Sequence, residues 1–88
     1  MRRKDSFALK SVGGDYLLVP LGAEVKARNG LVTLNATAAY LWGLLAADRS
    51  LEDLTAAAAA QFDLIPSRAA ADVRSFVELM SDAGLIEP

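Results

Sequence analysis

At Asn35 the hydrophobic pattern of this chain changes period, and that switch limits the fold more than any other feature. Before it, apolar residues alternate or run in short blocks punctuated by glycine and proline. After it, they recur three and four residues apart. Strand-like segments followed by helix-like ones, without interleaving, argue against a parallel βαβ sheet. They predict an α+β domain with helices on one side of an antiparallel sheet. A chain of 88 residues has room for one such domain.

Near the start of the chain, Phe7, Leu9 and Ser11 alternate with Ala8, Lys10 and Val12. Gly13, Gly14 and Asp15 form a turn signal. Residues 16–19 are rich in β-formers, so the two segments read as a hairpin. Pro20 has no N–H to give to a ladder and ends the strand or lies on an edge. A third short strand is predicted over Leu31, Val32, Thr33 and Leu34. Asn29-Gly30 before it is a favoured hairpin-turn pair, which leaves two readings. Either residues 25–28 pair across that turn, or residues 24–30 are a loop and the third strand pairs with the second. The weak β-propensity of Val25, Lys26, Ala27 and Arg28 favours the loop.

Asn35 suits a helix cap. Ala38, Leu41, Trp42 and Leu45 follow at i, i+3, i+4 and i+7, and Asp48-Arg49 ends the stripe. Ser50 with Asp53 matches a capping box, Asp replacing the usual Glu. Leu51, Leu54, Ala58 and Phe62 make the next stripe, with a run of alanines over residues 56–60 that lets a neighbouring helix come close. Pro66 suits the first position of a third helix, with Ser67 as the alternative cap. Ala69, Val73, Phe76, Val77 and Met80 form its core stripe. Gly84 is placed to stop that helix in a left-handed conformation, Leu85 and Ile86 folding back behind it. The expected architecture is three strands, then three helices, over residues 7–88, with residues 1–6 as a flexible N-terminus.

Composition narrows the chemistry. The chain has no cysteine and no histidine. Disulfides, thiolate or imidazole metal sites, and histidine acid–base catalysis are excluded. No cofactor and no enzymatic activity are expected. Nine basic residues against eleven acidic ones give a net charge of −2, so no basic face for nucleic acid is expected. No apolar run approaches the roughly 18 residues of a membrane span. No apolar segment follows the basic start, as a secretory signal would require. A cytoplasmic location is the expectation. Trp42 lies on the core stripe, which makes it a packing residue rather than a stacking platform. Glu52 and Asp53 match the positive end of a helix, and with Asp48 they form no recognised metal-ligand pattern.

The third helix carries something beyond its core stripe. Arg68, Asp72, Ser75 and Leu79 fall at i, i+4, i+7 and i+11, a second stripe beside the core. The plain reading is a solvated flank with an Arg68–Asp72 ion pair and one exposed leucine. The alternative is a groove wall. If the third strand is a sheet edge, its main-chain groups lie open. An edge strand beside a helix is the geometry of peptide capture by strand addition.

The residues in order are similar to a known family. Val19-Pro20 closes the second strand, and Leu34-Asn35-Ala36-Thr37-Ala38 leads into the first helix. Trp42 and Leu45 lie inside that helix. Leu51-Glu52-Asp53-Leu54, Asp72-Val73 with Phe76, and Ala83-Gly84-Leu85-Ile86 follow. Over residues 7–86 the chain resembles the PqqD-like proteins, also called RiPP recognition elements, in their stand-alone form. The resemblance implies a winged-helix-like domain and a non-catalytic function. Such a domain binds the leader peptide of a ribosomally made, post-translationally modified peptide. It presents that precursor to a separate maturation enzyme: a radical SAM enzyme, a peptidase or a cyclase. The leader would add as a strand along Leu31, Val32, Thr33 and Leu34 and face Arg68, Asp72, Ser75 and Leu79. Leu79 departs from the family pattern, which suggests a polar residue there.

Two rivals remain. A winged-helix DNA-binding domain requires cations along the exposed face of the third helix. That face offers Arg68 and Arg74 against Asp72, Glu78 and Asp82. A small regulatory subunit binding a folded protein would leave the third strand covered by the domain itself.

Overall fold

Gly13 and Gly14 take φ of 58° and 88°. Two successive left-handed residues make the tight turn whose twist suits the flanking strands. The computed structural model describes residues 1–22 and 32–87. β1 (Arg2–Arg3) precedes β2 (Phe7–Val12) and β3 (Asp15–Pro20), which pair antiparallel from Val12↔Asp15 out to Phe7↔Pro20. β4 (Val32–Leu34) pairs antiparallel with β3, giving the sheet order β2-β3-β4. The third strand thus pairs with the second. Leu31 and residues 24–30 lie outside the described residues.

Three helices follow: α1 (Ala36–Leu44), α2 (Leu51–Phe62) and α3 (Pro66–Asp82). Each boundary has a local cause. Asn35 accepts the Ala38 N–H through its side chain at 2.8 Å. At α2 the capping box is complete, the Asp53 N–H reaching Ser50 Oγ at 3.0 Å and the Ser50 N–H reaching Asp53 Oδ2 at 3.1 Å. Ser50→Ala should cost about 1 kcal/mol. A thermal melt followed by circular dichroism should show a midpoint about 4–8 °C lower. Pro66 occupies the first position of α3, and Ile65 rather than Ser67 is the cap residue. Gly84 (φ 71°) ends α3. The Leu85 N–H reaches Met80 O at 2.9 Å and the Gly84 N–H reaches Ser81 O at 3.0 Å, a Schellman stop with Leu85 packed inward.

The fold is α+β and winged-helix-like, with the helices on one face of the three-stranded sheet. Phe7, Leu18 and Leu34 project from the sheet into a core completed by Leu41, Trp42 and Leu45 of α1 and the stripe of α3. Trp42 is fully buried, its ring edge-to-face with Phe7 at 6.5 Å. Leu54 and Ala58 of α2 are buried as expected, but Leu51 is not. It sits in the first turn of α2 and is about half exposed.

Of the six leading residues, expected as a flexible lead, the first four have partners in distant segments. β1 pairs with β5 (Ile86–Glu87) as Arg2↔Glu87 and Arg3↔Ile86. The Arg3 N–H reaches Leu45 O at 2.9 Å and the Lys4 N–H reaches Leu85 O at 3.0 Å. The Met1 ammonium bonds Asp48 at 2.6 Å and holds its carboxyl below the ordinary range. A pairing two residues long has no period to read, which is why the sequence does not announce it.

Candidate functional site

The direction of each main-chain group in the sheet follows from its register. In a two-residue hairpin the closing pair, Val12↔Asp15, exchanges hydrogen bonds. Alternation then makes Lys10↔Leu17 and Ala8↔Val19 bonded pairs as well. The Leu21 N–H to Ser6 O contact at 2.7 Å extends the same alternation. It also places Pro20, which lacks a donor, opposite Phe7 at a non-bonded position. Tyr16 and Leu18 therefore turn their N–H and C=O groups towards β4, where they face Leu34 and Val32. Thr33, opposite Leu17, turns its own pair away from β3, to the outer edge. Among the described residues no strand pairs with that edge.

The side chains sort themselves by the same alternation. Leu34 is buried and Val32 half-buried against the core, while Thr33 is exposed. Of the four strand residues singled out in the sequence, Val32 and Leu34 use both side chain and main chain inward. Thr33 offers its main chain outward. Leu31 lies outside the described residues.

The four residues of the α3 flank come together. Arg68, Asp72, Ser75 and Leu79 line one cleft of about 270 Å³, with Asn35, Thr37 and Ala38 of the opposite wall and Phe76 between. β4 runs directly into Asn35, so the sheet edge leads to the mouth of the cleft. Phe76 is buried and makes an apolar floor, while Leu79 is 52% exposed at the rim. Arg68 Nε donates to both Asp72 oxygens at 3.2 Å. This is an exposed i, i+4 pair worth a few tenths of a kcal/mol. Its effect is to fix the guanidinium along the wall and nearly cancel the charge there. The cleft is thus a shallow slot with an apolar floor, one hydroxyl and a neutralised ion pair, beside a strand edge.

Asn35, Thr37, Ala38 and Phe76 line the cleft without being marked as site residues by the sequence. Asn35 reads there as a cap and Ala38 and Phe76 as core, and they are those things as well. Thr37 precedes the Leu41 position by four residues. The helical wheel that exposes the α3 flank finds it when applied to α1.

The other features have structural duties. Tyr40 packs edge-to-face on Phe62 at 5.6 Å. Asp53 closes the capping box and Asp48 holds the Met1 ammonium. Among the described residues no three or more acidic groups converge as a metal site would need, and no helix is long and apolar enough to cross a membrane. The Arg68–Asp72 pair further depletes the cations that a DNA-reading helix would need on α3.

Comparisons with known proteins bear on the family and the fold. The family model described as Coenzyme PQQ synthesis protein D (PqqD) matches residues 16–86. A solved structure of TbiB1 in complex with the TbiA(beta) leader peptide is similar with a TM-score of 0.75 at 18% identity. The similarity covers 99% of this chain and 95% of that one. At that identity the likeness concerns the fold. No curated protein matches in sequence.

Proposed function

The chain belongs to the PqqD family, and on that premise we propose that it is a non-catalytic leader-peptide-binding protein. It takes up the leader of a precursor peptide and delivers it to a separate modifying enzyme. A radical SAM enzyme, a peptidase and a cyclase are the candidate recipients. The observation that carries this reading is the outward main-chain pair of Thr33 on an edge that leads to the Arg68–Leu79 cleft. An incoming strand gains hydrogen bonds from the edge, and its alternate side chains drop towards Phe76 and Leu79. Leader binding by the similarly folded TbiB1 supports the same reading.

The experiment is a titration of isotope-labelled protein with leader peptides encoded beside it, following backbone amide shifts. Shifts are expected at Val32, Thr33, Arg68, Asp72, Ser75 and Leu79. Shifts confined to α2, or no binding to any such leader, would sink the reading. Leu79→Asp is the companion variant. Leu79 already stands half in solvent, so folding should be unaffected. Losing about 1 kcal/mol of apolar contact should weaken binding about fivefold. Affinity that persists in high salt fits strand addition. A steep salt dependence with duplex DNA would favour the DNA-binding rival.

A further inference from the structure

The ion pair on the wall of the cleft leaves half of its guanidinium unused. Both Asp72 oxygens converge on Arg68 Nε, each at 3.2 Å. A fork-to-fork pair would engage two nitrogens in parallel. Neither Nη of Arg68 has a partner among the described residues. The Arg68 side chain is 67% exposed, against 32% for Asp72, so the free end of the fork can be reached from solvent. The charges of the pair nearly cancel at a distance, but the unused N–H donors do not disappear.

Arg68 is also misplaced as a helix residue. It is the third residue of α3, where the positive end of the helix disfavours a cation, and the first turn holds no acidic residue. Asp72, one turn further on, offsets that cost only in part, since an exposed pair of this kind is weak. A cation that breaks a local rule is explained by what it faces. Arg68 and Asp72 are the charged residues that line the cleft, while Arg74, Glu78 and Asp82 of the same helix do not.

The cleft also supplies a ruler. Phe76, its apolar floor, lies eight residues along α3 from Arg68, about 12 Å at the helical rise. An extended strand covers that distance in about four residues. Four is an even step, so both side chains leave the strand on the same face.

We propose that the free fork of Arg68 receives a carboxylate of the leader. The preferred leader then carries an aspartate or glutamate four positions from the large apolar residue seated over Phe76 and Leu79. Asp72 is the positioning residue, holding Nε so that both Nη groups stay available. This inference rests on the leader-binding reading and adds the chemistry by which one leader is told from another. Strand addition alone reads no side chain, so selectivity must come from positions such as these.

The test is a double-mutant cycle with the leader peptides encoded beside this chain, fluorescently labelled and followed by anisotropy. Each acidic residue of the leader is replaced in turn by its amide. One of these changes should weaken binding about three- to fivefold. It should stand four positions from an apolar residue whose own alanine variant binds poorly. With Arg68→Gln the same change should have no further effect. Arg68→Glu should reverse the preference, binding a leader with lysine at that position better than the original. Arg68 is largely exposed, so both variants should keep a native circular dichroism spectrum. A role confined to pairing with Asp72 predicts instead that Arg68→Gln weakens every peptide alike. Such additivity, a coupled acid at another spacing, or undiminished binding by a leader without acidic residues would each overturn the proposal. Leader binding without coupling to Arg68 removes this inference alone. Absence of all leader binding removes the underlying reading with it.

Discussion

Trp42→Ala is expected to remove a large part of the domain's stability. Trp42 is fully buried and joins the sheet to α1, its ring meeting Phe7 edge-to-face. Arg3 adds a cation over the same ring at 5.8 Å. Truncating such a side chain costs about 3–5 kcal/mol, through lost burial and the cavity left behind. A domain of this size has a total stability of only about 4–13 kcal/mol. No disulfide can compensate, because the chain has no cysteine. The midpoint of a thermal melt should fall by at least about 12 °C. Trp42→Phe, which keeps an aromatic ring against Phe7, should cost markedly less. A fall of less than about 5 °C for the alanine variant would mean that the core closes over the gap, contrary to the packing described.

Thr33→Pro is expected to abolish most leader binding while the domain stays folded. The register assigns the Thr33 N–H to the outer edge, so proline there removes no bond to β3. An edge strand tolerates proline on its solvent side. An incoming strand, however, would find a ring where it needs a donor. The loss of one hydrogen bond, with the partner carbonyl left unsatisfied, is worth about 1.5–3 kcal/mol. That corresponds to a weakening of about ten- to a hundredfold. Thr33→Ala should bind almost normally, because the main chain and not the side chain carries the contact. Equal binding by the proline and alanine variants, with native circular dichroism for both, would refute strand addition at this edge.

Much of the fold is legible in the sequence because its causes are local. The period switch at Asn35, the Ser50–Asp53 box, Pro66 and Gly84 each act within a few residues, and each element begins or ends where they indicate. The α3 flank is legible because a helix repeats regularly enough to place Arg68, Asp72, Ser75 and Leu79 on one line. Other features depend on contacts between distant segments. The outward direction of Thr33 needs the registers of two strand pairs, which no single stretch encodes. The β1–β5 pair joins residues that lie far apart in the chain. Leu51 matches the α2 stripe by spacing, yet spacing cannot say whether another element extends far enough to cover the first turn. Phe76 shows a different limit, since one ring serves as both core filler and cleft floor.

The β1–β5 pair also determines how the domain yields to force. Arg2 lies opposite Glu87, so tension applied to the two ends acts across the ladder rather than along it. The hydrogen bonds there would break in succession, as a zipper opens, instead of resisting together as they do in shear. The next contacts to fail are Arg3 on Leu45 and Lys4 on Leu85. A pull on both ends would open this short pair while the Thr33 edge and the α3 cleft are still intact.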